Sequence, residues 1–416
     1  MKNKIIFFLL CFLIPTSAGA FSVYEVSGPG LADLVGQEVN QIRVYAANRS
    51  GKKVPIPFQI DEKTGNSKGR PWALKPEQAN GVLDSDEVLL VAGKDFGKRL
   101  GQEQFGGAEK VLELRGAQNS RQYFYVSLEN SDTPKSDRRY VQYDPVSDRI
   151  QSDYYDIRFS PKSPLIQNFL RIKNGSLPYN VLDRFKARFK LAIKNFFDLS
   201  FHEGSIKAKV TGYQAGPIRV IRQVVASKGL GPIKLIPKSK IDFKFYPDWL
   251  EVPTKVKNPV NGPKVLHKET TGVSGFDFNQ NILGSDFYTN MGTLMLRLDG
   301  KLKGDPKRIS GKGFRWWSFS GLAGSMVVGV QNDSKLKRMG IHPILVVISD
   351  MERSNPPESQ KGEVFIGFDL PYHRIPKGNY AIHVTQVFPG KFQPGQEDGY
   401  LQGAKLRKIQ GVAVLK

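Results

Sequence analysis

A single cysteine, Cys11, stands in 416 residues, and it falls inside an N-terminal run that reads as a removable leader. The remaining chain therefore has no disulfide, no thiol nucleophile and no cysteine-based zinc site. Histidine is nearly as scarce. His202, His267, His342, His373 and His383 are the whole set, and no pair has the spacing of a helical zinc motif. There is no Gly-x-Ser-x-Gly elbow, no P-loop and no dinucleotide-binding glycine pattern. Beyond the leader, no stretch is long and apolar enough to cross a membrane as a helix. Metal, cofactor and nucleophile-elbow chemistries thus have no signature here, and no catalytic residue can be assigned.

Acidic residues are also in deficit. Asp plus Glu number 39 against 61 Lys plus Arg, a formal charge of +22. The 40% hydrophobic content excludes a disordered chain, and 41 Gly with 26 Pro argue against a long helical bundle.

The leader has the three parts of a secretory signal. Lys2 and Lys4 are basic, Ile5 to Ile14 is an unbroken apolar run, and Ala18-Gly19-Ala20 offers the small residues of a cleavage site. Residues 1–20 are therefore expected to be removed, leaving Phe21 first. Cys11 follows Leu10, whereas a lipidated cysteine follows a small residue. Taking Lys2 and Lys4 from +22 leaves +20 on the mature chain. A cysteine-free exported protein fits a bacterial periplasm, so a periplasmic or secreted location is expected. The anions available there are lipopolysaccharide phosphates and acidic glycans. Export argues against nucleic acid.

What is present reads as strands. Gln41–Ala46, Glu87–Val91, Lys110–Leu114 and Gln122–Leu128 are short β-rich runs separated by turn clusters such as Asn48-Arg49-Ser50-Gly51. Nine or more further runs follow from Tyr154 to Val387. The expected fold is mainly β, with a small N-terminal sandwich or barrel over 21–135 and a large β-sandwich over 140–416. Polar Ser131 to Arg139 is the expected linker. Gly300 to Gly313 and Arg353 to Gly362 are expected loops.

The charge excess is local. Between Val181 and Lys240, thirteen cations stand against Asp183, Asp198 and Glu203. In Arg184-Phe185-Lys186-Ala187-Arg188-Phe189-Lys190 the alternation describes a half-buried strand with a cationic face. The spacing of Leu182, Phe185, Phe189 and Ile193 also fits an amphipathic helix, and the strand is preferred. Arg184, Lys186, Arg188 and Lys190, with Lys207 and Lys209, form the expected anion-binding surface. Replacing the first four by Gln is expected to weaken that binding with little change in thermal midpoint.

Arg219 and Arg222 follow the Gly216-Pro217 turn. They are candidate anion ligands or partners in structural ion pairs. Trp316, in Phe314-Arg315-Trp316-Trp317-Ser318-Phe319, is a candidate sugar-stacking residue, at the strand's alternative of an aromatic core. Asp84-Ser85-Asp86-Glu87 lacks the glycine and spacing of a calcium loop and reads as a turn. His202, Tyr213 and Arg219 could supply a lyase's base and cation, though nothing in their spacing requires it.

The run Val54-Pro55-Ile56-Pro57-Phe58-Gln59-Ile60-Asp61-Glu62, with Leu83 to Val88, resembles a pattern in secreted bacterial β-proteins. Gly216 to Arg222 and the aromatic strand resemble the large sandwiches of mutarotase-like and polysaccharide-lyase proteins. That resemblance implies a carbohydrate-related β fold and transfers no catalytic residue. The expected function is non-catalytic binding of an acidic polysaccharide or other anionic envelope polymer. A carbohydrate-active enzyme, such as a lyase or epimerase, and a structural envelope-assembly protein are the alternatives.

Overall fold

The computed structural model describes residues 21–65, 71–106, 108–116, 121–195, 198–230, 233–291, 296–298, 307–309, 314–342, 344–349, 364–409 and 411–415. The fold is mainly β, as the alternation in the sequence predicts. Near the N-terminus two sheets face each other. One orders Leu406–Lys408, Val23–Ser27, Val88–Ala92 and Phe58–Asp61; the other orders Gly411–Val414, Lys110–Arg115, Tyr123–Leu128, Ile42–Ala47 and Lys53–Pro55. Val44, Leu89, Val91, Leu112, Phe124 and Val126 fill the space between them. Each sheet thus receives a strand from the far end of the chain, through Val23–Leu406 and Leu114–Val412 pairing.

The turns are local chemistry. Asn48 Oδ1 accepts from the backbone N–H groups of Ser50 and Lys52, both at 3.0 Å, and Gly51 takes the left-handed φ of 80° that follows. Ser131 to Arg139 contains no strand or helix. Its start is pinned by buried Arg43, which donates to the carbonyls of Thr133 at 2.6 Å and Ser131 at 2.5 Å.

A meander of Val141–Asp144, Arg149–Ser152, Tyr155–Ser160 and Ser163–Ile172 leads into the larger sandwich. One of its sheets has six strands, ordered Asp198–His202, Leu182–Ala192, Thr271–Phe278, Val364–Asp369, Ile344–Ser349 and Lys307–Ile309. The facing sheet has nine, running from edge strand Lys207–Ala215 through Val220–Leu230, Ile233–Phe245, Trp249–Asn258, Gly378–Val387, Gly324–Asn332, Trp316–Gly321 and Asp286–Thr289 to Leu296–Arg297. Phe276, Phe278, Trp317, Phe319, Leu250 and Val328 pack between them as the largest core.

Leu182–Ala192 is a strand. Backbone ladders on both sides decide between the two periodicities, Phe189 pairing with Phe201 on one flank and Gly272 on the other. Of the two expected loops, Lys307–Ile309 is a strand at the edge of the six-stranded sheet. The rest of Gly300 to Gly313 up to residue 306 and from 310, and all of Arg353 to Gly362, lie outside the described residues.

Candidate ligand-binding cleft

The cations of Leu182–Ala192 divide: Arg184 and Lys190 are exposed, Arg188 is half-buried and Lys186 is enclosed, and each has a carboxylate beside it. Arg184 Nε lies 2.9 Å from Asp183, Arg188 Nε 3.3 Å from Glu203, and Lys190 Nζ 2.8 Å from Asp198. Lys186 is fully buried and ion-paired with equally buried Asp277 on the adjacent strand. This corrects the reading of Lys186 as a surface ligand. Burying an ammonium costs desolvation, and the attraction of the Asp277 carboxylate offsets it. Lys207 and Lys209 are exposed, but on the edge of the nine-stranded sheet, so they do not extend the same face.

Arg219 and Arg222 are both buried, which removes them as surface anion ligands. Arg222 Nε donates to Asp148 Oδ1 at 2.7 Å, and its guanidinium lies 3.9 Å over the Phe159 ring. Arg219 turns toward the N-terminal sheets, where it pairs with Asp61 and donates to the Tyr246 hydroxyl at 3.1 Å. Gln59 Oε1 accepts from the backbone N–H of Arg219 at 2.8 Å and of Ile218 at 3.2 Å. A Cβ on Gly216 would sit 2.1 Å from the Gln59 side chain, so only glycine fits this junction. Two motifs far apart in sequence, Phe58 to Asp61 and Gly216 to Arg219, therefore join the smaller sheets to the sandwich.

Trp316 is also corrected, being 7% exposed, while Trp317 is fully enclosed. The C-terminal helix Glu397–Gly403 covers the outer face of this strand. Leu401 lies against Gly329, which pairs with Trp316, and Ser318 donates to Glu397 at 3.3 Å. Stacking on a sugar would require displacing that helix. The acidic run is a turn at a strand entry, with Glu87 accepting from the N–H groups of Lys63 at 2.7 Å and Asp84 at 3.1 Å. Among the described residues no group of His, Cys, Asp or Glu is arranged to hold a metal ion. His202, Tyr213 and Arg219 are not brought together as a site. His202 ends the edge strand of the six-stranded sheet, Tyr213 is on the nine-stranded one, and Arg219 is committed to Asp61.

The site the structure does build lies between the two large sheets. Registered pairing of Ile233–Phe245 with Trp249–Asn258 stops at Ile241–Thr254. Past that point Ser239 on one strand, and Lys255 and Lys257 on the other, line an open cleft of about 380 Å³. Phe185, Phe189, Phe243, Phe276, Val252 and Val384 are among its apolar walls. Protein interiors are normally packed with few voids larger than a water molecule, and each empty Å³ is a cost to stability. A void of this size, in the range of small-molecule sites at about 300–1,000 Å³, points to a ligand.

The walls are not wholly apolar. Gln167, Asn332 and Gln386 line the cleft and are 6%, 7% and 4% exposed. Gln167 Nε2, Asn332 Oδ1 and Gln386 Oε1 each lack a hydrogen-bond partner among the described residues. Buried polar atoms are nearly always satisfied, so these three mark where polar atoms of a ligand would bind. Tyr372 adds a hydroxyl held neutral, because burial and then the charge of Asp369 push it above the ordinary tyrosine range. Lys255 and Lys257 are exposed at the rim.

The sequence signal for this cleft was faint. Trp249–Asn258 carries Pro253 and alternating lysines, which disguise a central strand. The informative residues are Gln167, Asn332 and Gln386, three amides carried by strands Ser163–Ile172, Gly324–Asn332 and Gly378–Val387. Replacing Gln386 with Leu should stabilise the empty protein by about 1–3 kcal/mol, because it removes an unsatisfied buried oxygen. Urea denaturation of the unliganded variant measures this.

No family model and no curated protein matches the chain. Solved structures do. An alpha-mannosidase from Enterococcus faecalis V583 is similar over 95% of this chain and 44% of its own, at 10% identity and a TM-score of 0.45. The Slr1438 protein from Synechocystis sp. PCC 6803 is similar over 63% of this chain and 99% of its own, at 10% identity and a TM-score of 0.35. A glycoside hydrolase family 97 enzyme from Pseudoalteromonas sp. strain K8 is similar over 59% of this chain and 35% of its own, at 11% identity and a TM-score of 0.28. The chain spans less than half the length of the mannosidase it overlays.

Proposed function

We propose that the protein is an exported binding protein for an amphiphile with a long apolar chain and an anionic head, the class to which envelope acyl lipids belong. The cleft between the sheets carries this reading: it offers about 380 Å³ of mostly apolar volume, three buried amides with unpartnered atoms, and two lysines at the rim. The apolar chain lies among the phenylalanines, and an ester, amide or hydroxyl near it meets Gln167, Asn332 and Gln386. The anionic head stays outside on Lys255 and Lys257. A net charge of +20 on the mature chain favours such a ligand over a neutral or cationic one.

This reading puts an anionic amphiphile in place of the acidic polymer expected from the sequence. Each cation of Leu182–Ala192 has a carboxylate beside it, so that strand offers a glycan little unneutralised charge. No helix among the described residues is long and apolar enough to cross a membrane.

Fluorescence titration with cis-parinarate, an anionic polyene fatty acid, tests the proposal on the mature chain. One saturable site is expected. Thr254→Trp should weaken it about tenfold or more, because the indole fills volume the chain needs. Lys255→Glu with Lys257→Glu should weaken it about five- to thirtyfold, from roughly 0.5–1 kcal/mol per exposed charge, while a neutral fatty alcohol competes as before. A folded protein that ignores parinarate but binds polygalacturonate at low salt would return the function to an acidic glycan.

A further inference from the structure

The first described residue is not a loose end. Phe21 is 9% exposed and belongs to a buried cluster with Tyr140, Trp249 and Val387. Its ring meets Tyr140 edge-on at 5.1 Å, with Lys94 Nζ 4.5 Å from its centre. Its backbone nitrogen lies 2.5 Å from Asp248 Oδ2, in a buried contact across 227 residues of sequence. That is an unusual amount of structure to build on the residue that follows Ala18-Gly19-Ala20.

Asp248 is held rigidly for this contact. It sits in the turn between Ile233–Phe245 and Trp249–Asn258, where Tyr246 and Trp249 stack at 3.6 Å. Tyr246 N–H donates to the Trp249 carbonyl at 2.8 Å, and Phe388 N–H to the Asp248 carbonyl at 2.7 Å. The carboxylate is 2% exposed, and its Oδ1 has no hydrogen-bond partner among the described residues. Burial pushes its pKa up to about 7, and the Phe21 N–H, its own N–H and Lys94 only partly oppose that rise. A carboxylate enclosed with neutral backbone amides as its donors is an incomplete arrangement.

We propose that the peptide bond after Ala20 is cut and that the new α-ammonium of Phe21 forms a buried ion pair with Asp248, which locks the processed fold. Water adds across the bond, its hydroxyl going to the Ala20 carbonyl carbon and its proton to the Phe21 nitrogen. At neutral pH that nitrogen takes a further proton from solvent. The positive charge then faces Oδ2, and the added N–H groups bring donors within reach of Oδ1. Phe21, Ser22, Lys94, Tyr154, Asp248 and Lys391 border a hollow of about 510 Å³, which leaves room for the added N–H groups of the new terminus. Among the described residues Asp248 meets backbone amides rather than a close cation, so cleavage brings it a charged partner and stabilises the folded state. This inference is independent of what the cleft binds.

The test crosses two terminal forms with two side chains. Intact mass and N-terminal sequencing of exported protein should give Phe21. Adding one glycine before Phe21 should lower the thermal midpoint by about 5 °C or more in the wild-type background. In Asp248→Asn the same addition should cost little, because the charge partner is already gone. Should Asp248→Asn not fold, acylation of the terminal amine decides: in the folded mature chain it should be at least about tenfold slower than in urea. A different terminus, an equal cost of the added glycine in both backgrounds, or an amine as reactive folded as unfolded would each overturn the proposal.

Discussion

Replacing Asp61 with Ala should destabilise the protein by about 3–5 kcal/mol, the usual cost of leaving a buried charge without its partner. The charge left behind is the Arg219 guanidinium, which is 1% exposed and stacked 5.2 Å from Trp72. Asp61 also accepts from Gln59 Nε2, and Gln59 in turn caps the backbone of Ile218 and Arg219. Removing one carboxylate therefore loosens both arms of the junction between the small sheets and the sandwich. Urea denaturation followed by tryptophan fluorescence measures the loss. Asp61→Asn keeps an acceptor without the charge and should cost less than Ala. An Ala variant as stable as wild type would show that Arg219 reaches water when its partner is gone.

Asp277→Ala should have an effect of the same size, about 3–5 kcal/mol, for the same reason within the six-stranded sheet. Asp277 and Lys186 are both fully buried, so the variant takes a counter-charge away from an ammonium in a low-dielectric site. Lys186→Met combined with Asp277→Leu should restore most of the stability, because an apolar pair of similar volume removes both desolvation penalties. Thermal unfolding of the two single variants and the double variant forms the cycle, and a double variant no better than the singles would point to a larger polar network. The same geometry changes what the Gln replacement of Arg184, Lys186, Arg188 and Lys190 should do. Lys186→Gln removes the buried ion pair with Asp277, so that variant should lose stability rather than keep its thermal midpoint.

These pairs explain why function was harder to read than fold. Alternation alone placed the cations of Leu182–Ala192 on one side and Phe185 and Phe189 on the other, and the structure keeps that division. Alternation cannot say whether the polar side meets water or a neighbouring carboxylate. Asp277 and Glu203 lie 91 and 17 residues beyond Lys186, and only the sheet order brings them back. Trp316 makes the same point. Its strand was legible, but the helix that covers it comes some eighty residues later.

The sequence by itself determined the mainly β fold, because period-two patterning and turn residues act over a few positions, where chain entropy is small. It also marked Gly216 and the Phe58 to Asp61 run as special, without showing that they touch. Tertiary structure alone decided which charges are paired, which aromatics are covered, and where the two large sheets part. Those outcomes depend on contacts between strands distant in sequence. The cleft is the clearest case, since its walls come from both sheets and its void belongs to no single segment.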